Sequence, residues 1–179
     1  GKDVTLTNGV ITGTATSQNG AGVSLSGGSN YTVSGATVSG TSANGAGISV
    51  NGTLEVGNNA SLRGTSTGTG SGVNIDGDLA STGGAIITGT ASSGDGVQIS
   101  GNLKASGGDF NIIGASGTGN GVTVSGDDTT VDNVNVTGIT ETGSGVSIAG
   151  NLTSKGDSAI TGTASNGGKG VDLSGNVTS

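Results

Sequence analysis

Apolar residues in this chain come two apart, in short bursts bounded by glycine, and the burst recurs. Its form is Gly-x-Gly-[Val/Ile]-x-[Leu/Val/Ile]-x-Gly. It appears at Gly20–Gly27, then at Gly45–Gly52, Gly70–Gly77, Gly94–Gly101, Gly119–Gly126, Gly143–Gly150 and Gly168–Gly175, with starts 24 or 25 residues apart. A spacing of two puts Val73 and Ile75 on one face of an extended strand, with Asn74 on the other. Val23/Leu25, Ile48/Val50, Val97/Ile99, Val122/Val124, Val146/Ile148 and Val171/Leu173 repeat the arrangement. A period of this length marks a solenoid, a propeller or an array.

Two more strands are expected in each period. One follows the closing glycine, where Leu54, Leu79, Leu103, Leu152 and Val177 hold the same place. Two periods depart from it: one brings Tyr31 and Val33, the other Val131, slightly later. The third strand centres on Val38, Leu62, Ile87, Ile112/Ile113, Val136 and Ile160 and mostly ends at a glycine, such as Gly64 or Gly89. Glycine accepts backbone conformations closed to other residues, so these glycines are read as corners between strands. No stretch carries the 3.6-residue apolar spacing of a helix.

The pattern therefore predicts an all-β chain: a parallel β-helix (β-solenoid) of about seven coils, each with three short strands. The general preference of β crossovers makes it right-handed. Residues 1–179 read as a single domain, with coils at 22–46, 47–71, 72–95, 96–120, 121–144 and 145–169 and partial coils at 1–21 and 170–179. Stacking at about 4.8 Å per coil gives a rod of roughly 34 Å. Both ends cut the repeat, and solenoids close with atypical capping repeats, so the chain is expected to be a segment of a longer array.

Composition sharpens this picture. Glycine supplies 41 of 179 residues, a level that usually marks disorder, but here the glycines and aliphatics keep fixed columns. Collagen is excluded, because proline is absent and glycine does not fall at every third place. Without Cys there is neither a disulfide framework nor a thiolate metal site. No apolar run is long enough to span a bilayer as a helix. Net charge is −7, and the only cations are Lys2, Arg63, Lys104, Lys155 and Lys169, so nucleic acid is not an expected partner. Charged residues are only 9% of the chain. In a stack each residue faces its equivalent in the next coil, and like charges so placed repel.

Candidate chemistry is sparse. The glycine phrase is not a nucleotide fingerprint, since its third glycine falls one residue too far and no helix follows. With neither His nor Cys, hydrolytic triads are excluded, and no catalytic residue, cofactor or metal is assigned. Two groups of acids remain: Asp76/Asp78 and Asp127/Asp128/Asp132. Paired carboxylates on a β-helix can cleave polysaccharide, although Tyr31 and Phe110 are the only aromatics to hold a sugar. The second group could also take one Ca²⁺. Thr12, Thr14, Thr16, Thr41, Thr65, Thr67, Thr88, Thr90, Thr161 and Thr163 recur at one place in the coil, interrupted by Ala115 and Ile139, and such arrays resemble ice-binding surfaces. Six Asn-x-Ser/Thr sequons begin at Asn30, Asn51, Asn59, Asn135, Asn151 and Asn176, a count close to what the Ser/Thr content produces by chance.

The repeats Gly96-Val-Gln-Ile-Ser-Gly-Asn-Leu-Lys-Ala-Ser-Gly107 and Gly145-Val-Ser-Ile-Ala-Gly-Asn-Leu-Thr-Ser154 resemble bacterial filamentous-haemagglutinin-type exoproteins. These are two-partner-secretion proteins, among them large adhesins and contact-dependent inhibition toxins. Gly77-Asp-Leu79, Gly101-Asn-Leu103 and Gly150-Asn-Leu152 are the most family-like phrases, and the likeness runs over nearly the whole chain. The coil is longer than the family's shorter repeats, and nothing matches its secretion or toxin domains.

The resemblance implies a secreted or surface-attached structural and adhesive shaft without catalysis, extracellular or on the bacterial cell surface. Its implied partners are an outer-membrane secretion barrel and a receptor or glycan on a host or other cell, bound here or through regions beyond this segment. Because some family adhesins are glycosylated at Asn-x-Ser/Thr, the resemblance also makes the six sequon asparagines candidate glycosylation sites. An ice-binding solenoid and a polysaccharide-acting β-helix enzyme remain the alternatives.

Overall fold

The computed structural model describes residues 3–179, so Lys2 lies outside the described residues. Residues 3–21 supply β1 (Asp3–Thr7) and β2 (Val10–Ala15). The next coil holds β3 (Val23–Leu25), β4 (Asn30–Ser34) and β5 (Thr37–Ser42). After it come β6 (Ile48–Val50), β7 (Thr53–Gly57) and β8 (Ala60–Ser66), then β9 (Val73–Ile75), β10 (Leu79–Ser81) and β11 (Ala85–Ala91). In the two coils that follow, β12 (Val97–Ile99) leads into one long strand, β13 (Leu103–Ser116), and β14 (Val122–Val124) into another, β15 (Asp128–Thr140). β16 (Val146–Ile148), β17 (Asn151–Lys155), β18 (Ala159–Ala164), β19 (Val171–Leu173) and β20 (Val177–Thr178) complete the order.

Each strand pairs in parallel with its equivalent one coil away, which makes the chain a β-solenoid of about seven turns. The phrase strands form a seven-stranded sheet of their own, running from β3 to β19. The second and third strands were expected to stay separate in every coil. In residues 96–120 and 121–144 they fuse into β13 and β15, and this joins their two ladders into one 13-stranded sheet. Among the described residues there is no helix, and so none long and apolar enough to cross a membrane.

The core is a narrow aliphatic column enclosed by these ladders. Leu54, Leu62, Val73, Ile75, Leu79, Ile87, Ile99, Leu103 and Ile112 are all at most 1% exposed. Alternation along each strand puts these residues inward and their neighbours in solvent, as period-two patterning requires. Loop length absorbs the coil-to-coil slips. Tyr31 falls four positions after Gly27 and Leu54 two after Gly52, yet Tyr31 and Leu54 stack in the same column.

One assignment in the second ladder is corrected. Val131 does not replace the missing leucine: Thr129 stands between Leu103 and Leu152, and Val131 lies one inward column further on, with Ala105 and Ser154. The sequence pattern misses this because Thr129 is polar, although it is only 1% exposed.

Glycine also does a different job from the one expected. Of the phrase glycines only Gly27 and Gly52 have positive φ. Gly64, Gly89, Gly114 and Gly138 sit inside the third strands, stacked on each other. A Cβ on Gly89 would land on the carbonyl oxygen of Gly96, and one on Gly96 would land on the backbone of the opposite strand. Backbone presses on backbone there, so the absent side chain matters more than the conformational freedom. Left-handed backbone is concentrated instead at the bend between the second and third ladders, at Asn8, Gly35, Asn58, Asn59, Gly107, Gly108, Asn133 and Gly156.

Candidate binding groove

The outer surface of the second ladder carries an open concavity. On β10, Leu79 points inward, so Asp78 and Ala80 face solvent on either side of it. Coil-to-coil register extends Ala80 into an outward column: Thr32, Glu55, Ala80, Lys104, Thr130. Alanine is the small member of that column and leaves a gap between Glu55 and Lys104. The result is an open groove of about 310 Å³ lined by Thr53, Asp78, Leu79, Ala80, Asn102, Leu103, Lys104, Asp128 and Thr130.

The wall of the groove is held by bonds between coils. Asp78 Oδ1 accepts the Asn102 backbone N–H at 2.8 Å, and Asn102 Oδ1 accepts the Asp128 N–H at 2.9 Å. Asn151 Nδ2 reaches Asp128 Oδ1 at 3.4 Å, and Asn151 Oδ1 accepts the Asn176 N–H at 3.3 Å. The residue after the closing glycine thus caps a backbone donor in the following coil, which gives the Gly-Asn-Leu and Gly-Asp-Leu phrases a structural task. Lys104 is not in a salt bridge; among the described residues the only one joins Lys169 to Asp172.

Neither acid group gathers as a whole, although Asp78 of one and Asp128 of the other line the same groove. Asp128 and Asp132 lie four residues apart on β15, and Asp132 Oδ1 accepts from Asn133 Nδ2 at 2.9 Å. No group of three His, Cys, Asp or Glu side chains placed to hold a metal exists among the described residues. Asp76 and Asp78 straddle a corner, and only Asp78 lines the groove.

All six sequon asparagines are exposed. Asn30 donates to Asp3, Asn135 to Asn111, Asn151 to Asp128 and Asn176 to Asn151. Asn51 and Asn59 make no side-chain hydrogen bond among the described residues, and Asn59 is left-handed, with φ 62°.

The threonines expected at one place fall mostly into two adjacent outward columns of the third ladder, with Thr16 and Thr67 just past the ends of β2 and β8. Thr14, Thr41, Thr65 and Thr90 stack over four coils before Ala115 and Ile139 break the row. The companion column runs Thr12, Ser39, Arg63, Thr88, Ile113, Thr137, Thr161. Ile86, Ile113 and Ile139 are 45%, 39% and 49% exposed on this face.

Comparison with known proteins finds no matching family model, no matching curated protein and no matching solved structure. The groove itself was not legible in the sequence. It depends on which residues neighbour Ala80 in the coils on either side, and the variable loops hide that register.

Proposed function

We propose that this chain is a structural and adhesive shaft, without catalysis, of a secreted or surface-attached bacterial exoprotein of the filamentous-haemagglutinin type. Its task is to hold binding surfaces away from the cell, either its own or those of neighbouring regions. The partners in this reading are an outer-membrane secretion barrel and a receptor or glycan on another cell, and the location is extracellular or on the cell surface. One observation carries the reading. The inward columns continue through successive coils, so the rod is braced along its length by inter-coil bonds rather than by a compact core. The scattered acids and the absence of His and Cys agree with a passive role.

Surface display tests it. The chain is placed between an outer-membrane anchor and a fluorescent module, beside a version with its coils doubled. The shaft reading expects the module to stand farther from the membrane in the doubled chain and the displayed rod to bind cells saturably. A height independent of coil number, or cleavage of an anionic polysaccharide that is lost in Asp127→Ala or Asp132→Ala, contradicts it.

The in-register run Thr14, Thr41, Thr65 and Thr90 favours a second reading, ice binding through the third face. Thermal hysteresis at micromolar protein supports that reading, and its absence removes it.

A further inference from the structure

We infer that the groove beside Ala80 is a docking site for a short, neutral saccharide, a step that rests on the adhesive part of the proposed function. Three properties meet there. The groove has the volume of a small ligand pocket, enough for roughly one or two sugar rings. Its floor carries the Ala80 methyl, because the side chains of Leu79 and Leu103 are buried in the core, and offers a small apolar patch to the C–H face of a pyranose. Its walls hold acceptors and donors together: carboxylates at Asp78 and Asp128, the Asn102 amide and the Lys104 ammonium.

These polar groups are already placed. Asp78 and Asn102 each spend one oxygen on a backbone N–H of the next coil, which fixes the side chain and leaves its other polar atom for a ligand. A sugar hydroxyl both donates and accepts, so it can satisfy a carboxylate and the ammonium at once. Charge selects the class. Two carboxylates flank a single ammonium on a chain of net charge −7, so sulfated sugars and uronates are repelled while neutral sugars are not. A divalent cation would find only these two carboxylates, since no third His, Cys, Asp or Glu joins them among the described residues.

Three variants probe the groove without touching the core. Ala80→Leu fills the gap, Lys104→Ala removes the cationic donor, and Asp78→Asn keeps an oxygen for the Asn102 N–H while removing the carboxylate. The intact chain and each variant are titrated with methyl glycosides of glucose, galactose, mannose and N-acetylglucosamine and with their disaccharides. Binding is read by saturation-transfer NMR, and folding by thermal midpoint. At least one neutral saccharide is expected to bind with a millimolar Kd. Ala80→Leu is expected to abolish that binding, and the two polar variants to weaken it about five-fold, the scale of one hydrogen bond.

Absence of binding by every neutral saccharide overturns the inference. So does binding that survives Ala80→Leu in a folded protein, or preference for a sulfated sugar. The spacing experiment reads rod length independently of any sugar, so a failed groove and a failed shaft are told apart.

Discussion

At Gly89 the backbone passes so close to Gly96 that even a methyl group has no room. Gly27, in contrast, has φ 88° and open space around its Cα. Alanine at Gly89 is expected to cost about 3 kcal/mol through overpacking against immovable backbone. Alanine at Gly27 is expected to cost only about 1–2 kcal/mol, the strain of left-handed backbone. Urea midpoints of the two variants check the ranking, and the reverse order refutes the close-approach role. Both glycines look alike in the repeat. The spacing shows where glycine is needed, but not whether conformation or clearance is the reason, because clearance depends on the strand lying opposite.

Thr129 offers a second test at this scale. Its hydroxyl is buried in the leucine column without a hydrogen-bond partner. Thr140, equally buried, donates to the Gly119 carbonyl at 2.6 Å. Thr129→Val is expected to stabilise the rod by about 1 kcal/mol, because it removes an unsatisfied polar group at constant shape. Thr140→Val is expected to lose at least about 1 kcal/mol, since the hydroxyl also accepts the Gly143 N–H at 3.2 Å. Opposite signs in thermal denaturation confirm the contrast, and equal signs reject it.

Among the elements, the phrase strands were the most legible. Glycine and aliphatic spacing repeat together there, and all seven copies pair as expected in one sheet. The second ladder was readable where Leu54, Leu79 and Leu103 follow their glycine at a constant distance. It was misread at Val131, where a longer loop and a polar rung hid the register. Fusion into β13 and β15 was not foreseeable, since left-handed residues mark this bend both in the fused coils (Gly107 and Gly108, Asn133) and in unfused ones (Gly35, Gly156). Asparagine's tolerance of this conformation was the available signal, and it was spent on sequons instead.

The third ladder also balances volume between coils. Phe110 is fully buried between Ala85 and Val134, with Ala60 beyond Ala85, so one large ring fills space that its small neighbours leave. Phe110→Ala is expected to destabilise by about 3–5 kcal/mol, as a core cavity does. A loss below about 1 kcal/mol in chemical denaturation would show that the column collapses around the gap and is not held by the ladder.

For the whole molecule, near-neighbour stacking makes the coil the unit of length and stability. Removing residues 96–120 takes out one full period and is expected to leave a folded rod one step shorter. Removing half that length breaks the register of every later column and is expected to unfold the chain, as circular dichroism would report. The groove lies on the same scale, because its walls come from Thr53, Asp78, Asn102 and Asp128 in successive coils. Deleting residues 96–120 therefore removes Asn102 and Lys104 and is expected to end saccharide binding while the shaft persists.

Spin labels at Thr12 and Thr161 test the shaft most directly. Both residues are exposed and belong to one outward column, six coil steps apart. At about 4.8 Å per step the separation is about 29 Å, and deletion of residues 96–120 shortens it by about one step. Pulsed electron–electron resonance should return a narrow distribution that shifts by that amount. A broad distribution, or one unchanged by the deletion, would contradict a rigid shaft built coil by coil.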